Sequence, residues 1–309
     1  MSLLIAISGY LILAVVAIMD KFIVSEEKIS PVKFVFYSTV SILPVFFLLP
    51  FGVQFLGSNF DYAMSLVSGF TFALALWAMY IGLEKSEVSH TGPLVGAAVA
   101  LFVLVLGQVF LRESISLQQY IGVLVLALGS LLISFEQSQN HRGWHGGMLW
   151  GVVAGLLFAI SHVTAKYIYA HYDFYSGFVW TRGFIGVFGV VLLLIPTYFK
   201  EILRKKSIVR RAWDTVAKKK ASAGHVALIV TDKVLGVVAV VLIQYAIAVG
   251  SVTLVNALAG VQYAFLVVVV GLLSAFSPRL FKEEYRRGEM AQEAFAVFII
   301  GVGLALLIV

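Results

Sequence analysis

YIGLEKSEVSHT at residues 80–91, set beside YAIAVGSVTLVN at residues 245–256, decides how this chain folds. In each stretch a tyrosine ends an apolar run, a serine follows at the turn, and a second apolar run begins. Tyr80 aligns with Tyr245, Ser86 with Ser251, Val88 with Thr253 and Thr91 with Asn256, in one register. Another spacing is kept as well. Lys21 lies nine residues before Ser30, and Lys166 lies nine before Tyr175. Self-similarity at matched spacing marks a duplicated unit. The two units run over residues 1–135 and 145–309, joined by the polar linker 136–144.

Each unit holds five apolar stretches. They run over residues 2–24, 31–53, 62–83, 88–111 and 116–135, then 145–169, 174–198, 225–249, 252–277 and 288–309. A helix needs about 20 apolar residues to cross a bilayer. The expected fold is therefore an all-α integral membrane protein of about ten transmembrane helices. Because five is odd, the second unit enters from the opposite side, which makes the two five-helix units inverted repeats. That is the plan of many secondary transporters. Pro31 opens a span at a position where its missing N–H costs nothing. Pro44, Pro93 and Pro196 fall inside spans or near their ends, where they can kink a helix. Gly147, Gly151 and Gly155 form a small-residue face on the sixth span, and Gly92 with Gly96 on the fourth, each suited to close helix contact.

Composition agrees. Of 309 residues, 61% are hydrophobic and 12% charged, against about 25% charged in soluble domains, so the apolar surplus has to face lipid. The absence of cysteine excludes disulfides, thiolate metal sites and thiol catalysis. The first run lacks a basic leader region, so it reads as a retained helix rather than a signal peptide. The net charge of +6 reflects basic loops rather than nucleic-acid binding. The longest polar segment, residues 200–224, carries nine lysines and arginines. Ile202, Val209, Trp213 and Val216 recur there at helical spacing. The segment reads either as a helix lying on anionic lipid or as a solvated linker obeying the positive-inside rule.

The chain resembles the drug/metabolite transporter superfamily in its ten-helix EamA-like branch. The residues that carry the resemblance are Asp20-Lys21, GQVFLRE at residues 107–113, Ile121-Gly122 with Gly129, GSVTLVNAL at residues 250–258, Lys282-Glu283-Glu284, and Ile300-Gly301. The second half departs from the pattern. Gly107 to Glu113 spans six residues, whereas Gly271 to Glu283 spans twelve, so the second-half counterpart of Glu113 is open. The resemblance implies two EamA-like repeats, membrane transport and no cofactor. Relatives of this kind are usually drawn with cytoplasmic termini. The first span carries no carboxylate before Asp20, so the central proton-coupling glutamate of small relatives is missing.

Charge at membrane depth is costly and marks candidate sites. Arg182 lies about 12 Å into its span at 1.5 Å per residue. Asp232 and Lys233 lie at similar depth from the other face, as a gate or ion pair, and an Arg182–Asp232 pair is one expectation. Lys21 and Lys166 either face the cavity or snorkel to the headgroups. His162 and Lys166 share a helical face, and with Arg182 they would make a cavity suited to an anionic substrate. A packed, hydrogen-bonded His162 is the alternative. Trp77, Tyr80, Trp180, Gln244, Tyr245, Asn256, Gln262 and Tyr263 are candidate lining groups, or else core and interface anchors. His141 and His145 are spaced for a metal, but no third ligand is evident.

HExxH, GxSxG and phosphate-loop motifs are absent, so no enzyme is indicated. The expected function is secondary, non-ATP transport of a small polar metabolite by alternating access, in a multi-pass cell membrane, plasma or inner. Partners would be the small-molecule substrate and membrane lipids, with a homodimer left open. A nucleotide- or lipid-linked sugar is the alternative substrate. An intramembrane enzyme or a non-transporting sensor is the alternative class.

Overall fold

Helix-making signals lie where the spans begin. A computed structural model of the chain describes residues 1–23, 30–85, 88–135, 146–203, 223–276 and 287–308. Ser116 and Gln119 form a reciprocal capping box at the start of α5 (Leu117–Ser134), which satisfies backbone donors that a helix start leaves free. Asp173 accepts from the Ser176 N–H at the start of α7 (Phe174–Leu194). The remaining first-half helices are α1 (Ser2–Ile23), α2 (Pro31–Val40), α3 (Asn59–Lys85) and α4 (Val88–Phe110). The second half adds α6 (Gly146–His171), the short α8 (Pro196–Leu203), α9 (Ala223–Val249), α10 (Val252–Ala257), α11 (Ala259–Phe276) and α12 (Arg287–Ile308). There is no strand among the described residues. Among the described residues, ten helical segments are long and apolar enough to cross a membrane, so the chain is a helical multi-pass membrane protein.

Two spans are broken where one helix was expected. The second runs as α2, then a turn, then a 3-10 helix over Leu43–Leu48. Pro44 supplies the reason, since it has no N–H to continue the α-helical ladder. The ninth is α10 followed by α11, interrupted at Leu258. In the repeat register Leu258 is the counterpart of Pro93, which lies inside the continuous α4.

The helices pack in antiparallel pairs. Gly250 meets Ser2, Gly9 meets Ile243, and Gly236 meets Val16, so α1 lies along α9 in the opposite sense. In α3 and α6, Gly82 meets Gly147 while Ser68 and Ser161 exchange hydrogen bonds of 2.9 and 2.8 Å. Other major contacts join α5 to α12, α4 to α6, α1 to α11, α4 to α10, and α2 to α7. One hydrophobic cluster fills the centre, with Val103, Leu126, Ala154, Ile247 and Leu258 among its members. A smaller one, around Val35, Ala73, Ile185 and Leu192, joins α2, α3, α7 and α8.

The sixth-span glycine face makes the close contacts read from its spacing. Gly82 and Gly147 meet on α3, Gly151 touches Leu94, and Gly155 lies on Ala98 of α4. Any side chain added at Gly155 would press on Ala98 and its backbone. Gly155→Val is expected to lower the unfolding midpoint of the detergent-solubilised protein by several degrees, the overpacking cost being about 1–3 kcal/mol. An unchanged midpoint would show that α4 and α6 separate freely. The fourth-span pair behaves differently. Gly92 and Gly96 accept the flat ring of Tyr263 rather than a neighbouring backbone.

Of the segment 200–224, only residues 200–203 and 223–224 are described. Ile202 is buried in the smaller cluster. Val209, Trp213 and Val216 lie outside the described residues, as do His141 and His145.

Candidate functional site

Arg182 is the deepest cation of α7 and is only 4% exposed. Phe72 of α3 lies 5.0 Å from its guanidinium carbon, and Phe178 one turn earlier on α7 lies 5.9 Å away. Phe72 packs with the smaller hydrophobic cluster and Phe178 with the central one. Arg182 therefore sits at the seam between the two. Ring faces attract a cation, but they accept no directed N–H bond. Nε and Nη2 are buried and have no hydrogen-bond partner among the described residues. Those two atoms form the side-on fork of the guanidinium, the edge that matches a carboxylate or phosphate with two parallel bonds.

His162 of α6 lies against the same aromatic wall, 6.4 Å from Phe72 and 6.3 Å from Phe158 between ring centroids. Its Nδ1 is 2.6 Å from Oδ1 of the buried Asn256. Asn256 Nδ2 donates to the Val252 carbonyl at 2.8 Å. A carbonyl can only accept, so the amide's orientation is settled and Oδ1 turns toward His162. His162 and Asn256, expected separately, are thus joined at one place, between α6 and α10.

The expected Arg182–Asp232 pair is not formed. Asp232 is wholly buried, with the Lys233 ammonium 2.8 Å from Oδ2 in an ion pair that lacks hydrogen-bond alignment. Lys233 also reaches Asp20 of α1 at 3.4 Å. The reason is rotational: α9 turns this face toward α1, not toward α7. Lys21 has its backbone in α1, but its side chain lies outside the described residues.

Lys166 is spent on backbone. Its ammonium donates to the carbonyls of Ile247, Ala248 and Gly250 at 3.0, 2.9 and 2.7 Å. These are the acceptors that the end of α9 leaves free, at the negative pole of its dipole. The sequence reading, a cavity-facing or snorkelling group, did not include this contact with the end of α9. Across the same turn, Glu113 accepts from Ser251 Oγ at 2.9 Å, Val252 N–H at 2.8 Å, and Thr253 Oγ1 at 2.8 Å. It thereby caps the positive pole of α10. The turn at residues 250–251 is held by a cation on one side and an anion on the other. In the sequence Glu113 stands just past the fourth span, within the family pattern, with no role assigned to it. Its partners are 138 to 140 residues away, and no local spacing announces them.

The aromatic candidates scatter. Trp77 packs edge-on against Tyr198, and Tyr80 stacks on Phe34. Tyr245 is 41% exposed and packs edge-on against Phe174 at 5.2 Å. Tyr263 covers the Gly92–Gly96 face, and Gln262 is half-buried beside it on α11. The buried Gln244 accepts from the Tyr169 hydroxyl at 3.0 Å. Trp180 donates to the Gln54 carbonyl at 2.9 Å, and Gln54 N–H donates to Ser176 Oγ. Those bonds strap the segment before α3 onto the start of α7. Tyr172 completes the strap, donating to Asp61 at 2.7 Å and accepting from Gly57 N–H. The Asp61 carboxylate holds the Tyr172 phenol above its usual range. Phe72, Phe158 and Phe178, missed in the sequence, were hidden among 24 phenylalanines.

With the geometry in view, comparison with known proteins is informative. Residues 1–135 match the EamA-like transporter family. No curated protein matches the chain. A solved structure described only as "Crystal structure of protein" superposes with a TM-score of 0.64 at 13% identity, covering 99% of this chain and 95% of that one. At that identity the likeness shows the fold alone.

Proposed function

We propose that this chain, whose residues 1–135 match the EamA-like transporter family, is a membrane transporter of the drug/metabolite type and carries a small anionic metabolite by alternating access. The observation that carries the anionic part is the Arg182 fork, buried at the seam of the bundle and without a hydrogen-bond partner among the described residues. An arginine stays protonated at any physiological pH. Its burial without a protein anion is costly, and a substrate anion would relieve that cost. The alternating-access part is supported by the order of packing. Exchanging the first five spans for the last five turns the α3–α6 contact into the α9–α1 contact, and α4–α6 into α11–α1. Those exchanges also favour two repeats, at residues 1–135 and 145–309.

The test is a thermal-shift screen of purified protein against charged and neutral metabolites, followed by uptake into proteoliposomes. A ligand that binds only the folded state raises its apparent stability. Anions should raise the midpoint of wild type and leave Arg182→Ala unmoved. Stabilisation by neutral compounds alone would remove the anionic reading.

Orientation is a separate prediction. The loops and span ends on the side of the α1 C-terminus carry Lys28, Lys33, Lys85, Arg142, Arg279, Lys282, Arg286, Arg287 and the basic segment 200–224, against essentially Arg112 on the other side. The positive-inside rule then puts the basic segment in the cytoplasm and both termini outside. A reporter active only in the cytoplasm, fused after Val309, should stay silent. Activity there would give the orientation usual for ten-helix relatives.

A further inference from the structure

The Arg182 fork reads one end of a substrate, and His162 offers a second point of recognition of definite polarity. Because Asn256 Oδ1 can only accept, the neutral imidazole carries its proton on Nδ1. Its Nε2 is then a lone pair, and among the described residues nothing donates to it. Arg182 and His162 lie against the same ring, Phe72, at 5.0 and 6.4 Å. A ligand held by both must present an anion to one and a hydrogen-bond donor to the other. The charge available limits the anion. One guanidinium balances a single negative charge, which suits a carboxylate better than a doubly charged phosphate.

The donor is either a hydroxyl or an ammonium, and the surrounding acids decide between them. A buried ammonium beside Arg182 would need a carboxylate of its own. Asp61 is taken by Ser58, Tyr167 and Tyr172, and Glu113 by the start of α10. Asp20 and Asp232 are taken by Lys233, and Asp173 by the α7 backbone. None of these contacts the Arg182–His162 wall. A neutral hydroxyl makes no such demand. Resting on the anionic reading above, we propose that the substrate is a small 2-hydroxy carboxylate, its carboxylate on the Arg182 fork and its hydroxyl donating to His162 Nε2.

Matched trios of ligands test this on the purified full-length chain. Propionate, lactate and alanine form one trio, and butyrate, 2-hydroxybutyrate and 2-aminobutyrate the other, with glycerol phosphate as the phosphate arm. Affinities come from thermal shift and from competition for uptake. In at least one trio the hydroxy acid should bind about tenfold more tightly than the unsubstituted acid, the effect of one good hydrogen bond. His162→Phe should erase that ratio while sparing the unsubstituted acid. Asn256→Ala, which frees the imidazole to carry its proton on either nitrogen, should reduce the ratio and serves if His162→Phe does not fold. Equal binding within both trios, or tightest binding of the amino acid or of glycerol phosphate, overturns the assignment. If acids then bind in an Arg182-dependent way without a hydroxyl preference, the anionic reading stands and only the substrate class is lost. If no acid binds in an Arg182-dependent way, both are lost.

Discussion

Arg182→Ala is expected to bring transport close to background while leaving membrane insertion intact and the unfolding midpoint unchanged or raised. The two effects separate because the side chain is buried and, among the described residues, Nε and Nη2 have no hydrogen-bond partner. Deleting it strands no protein carboxylate, and it removes a charge whose burial opposes folding. A charge-assisted bond is worth about 1.5–3 kcal/mol. Losing the fork should therefore cost substrate affinity about tenfold to a hundredfold or more. Arg182→Lys should fall between, since a point charge replaces a bidentate edge. Adding Asp232→Ala to Arg182→Ala should restore nothing, because Asp232 is paired with Lys233 instead. Flux is measured beside inserted amount and thermal midpoint for each variant. Wild-type flux in well-inserted Arg182→Ala would sink the assignment. A fall in midpoint that parallels the fall in flux would make Arg182 a structural group.

Lys166→Met should do the reverse, lowering stability first and transport as a consequence. The variant keeps the aliphatic stem but removes three donors from the carbonyls of Ile247, Ala248 and Gly250. Each buried group left unsatisfied costs about 1–3 kcal/mol. Lys166 is only half-buried, so water can recover part of that, and a net loss of about 2–3 kcal/mol is expected. Glu113→Ala should act similarly from the other side of the turn, since loss of an N-cap alone costs about 0.5–2 kcal/mol. Glu113 accepts from two hydroxyls as well as from backbone. Unfolding midpoints in detergent provide the measurement. If Lys166→Met keeps its midpoint but loses flux, Lys166 belongs with the substrate after all.

These two residues show where reading a sequence succeeds and where it stops. Both were visible as charges near span ends, and Lys166 shares its spacing with Lys21. Its role was not legible. What an ammonium donates to depends on which neighbour its helix face meets, and here that neighbour is 81 to 84 residues away. Asp232 makes the same point. Its depth was readable from its place in the span, but the choice between Arg182 and Lys233 depended on the rotation of α9. Tyr245 shows it for an aromatic: its spacing aligns it with Tyr80, yet Tyr80 stacks on Phe34 while Tyr245 is exposed beside Phe174.

By itself the sequence determined the ten helical spans, most of their limits, and the family pattern of the first half. Hydropathy over about 20 residues is a local property, and in lipid a backbone has to satisfy its own hydrogen bonds within a helix. Caps such as Asp173 and Ser116 are local too, acting within three residues. Only the tertiary structure decided that α10 and α11 break at Leu258, that Tyr263 fills the Gly92–Gly96 face, and that His162 meets Asn256. It alone left the Arg182 fork open. Helix rotation and tilt are set by side-chain packing between segments far apart in the chain, and hydropathy carries no record of which partner a buried polar group will find.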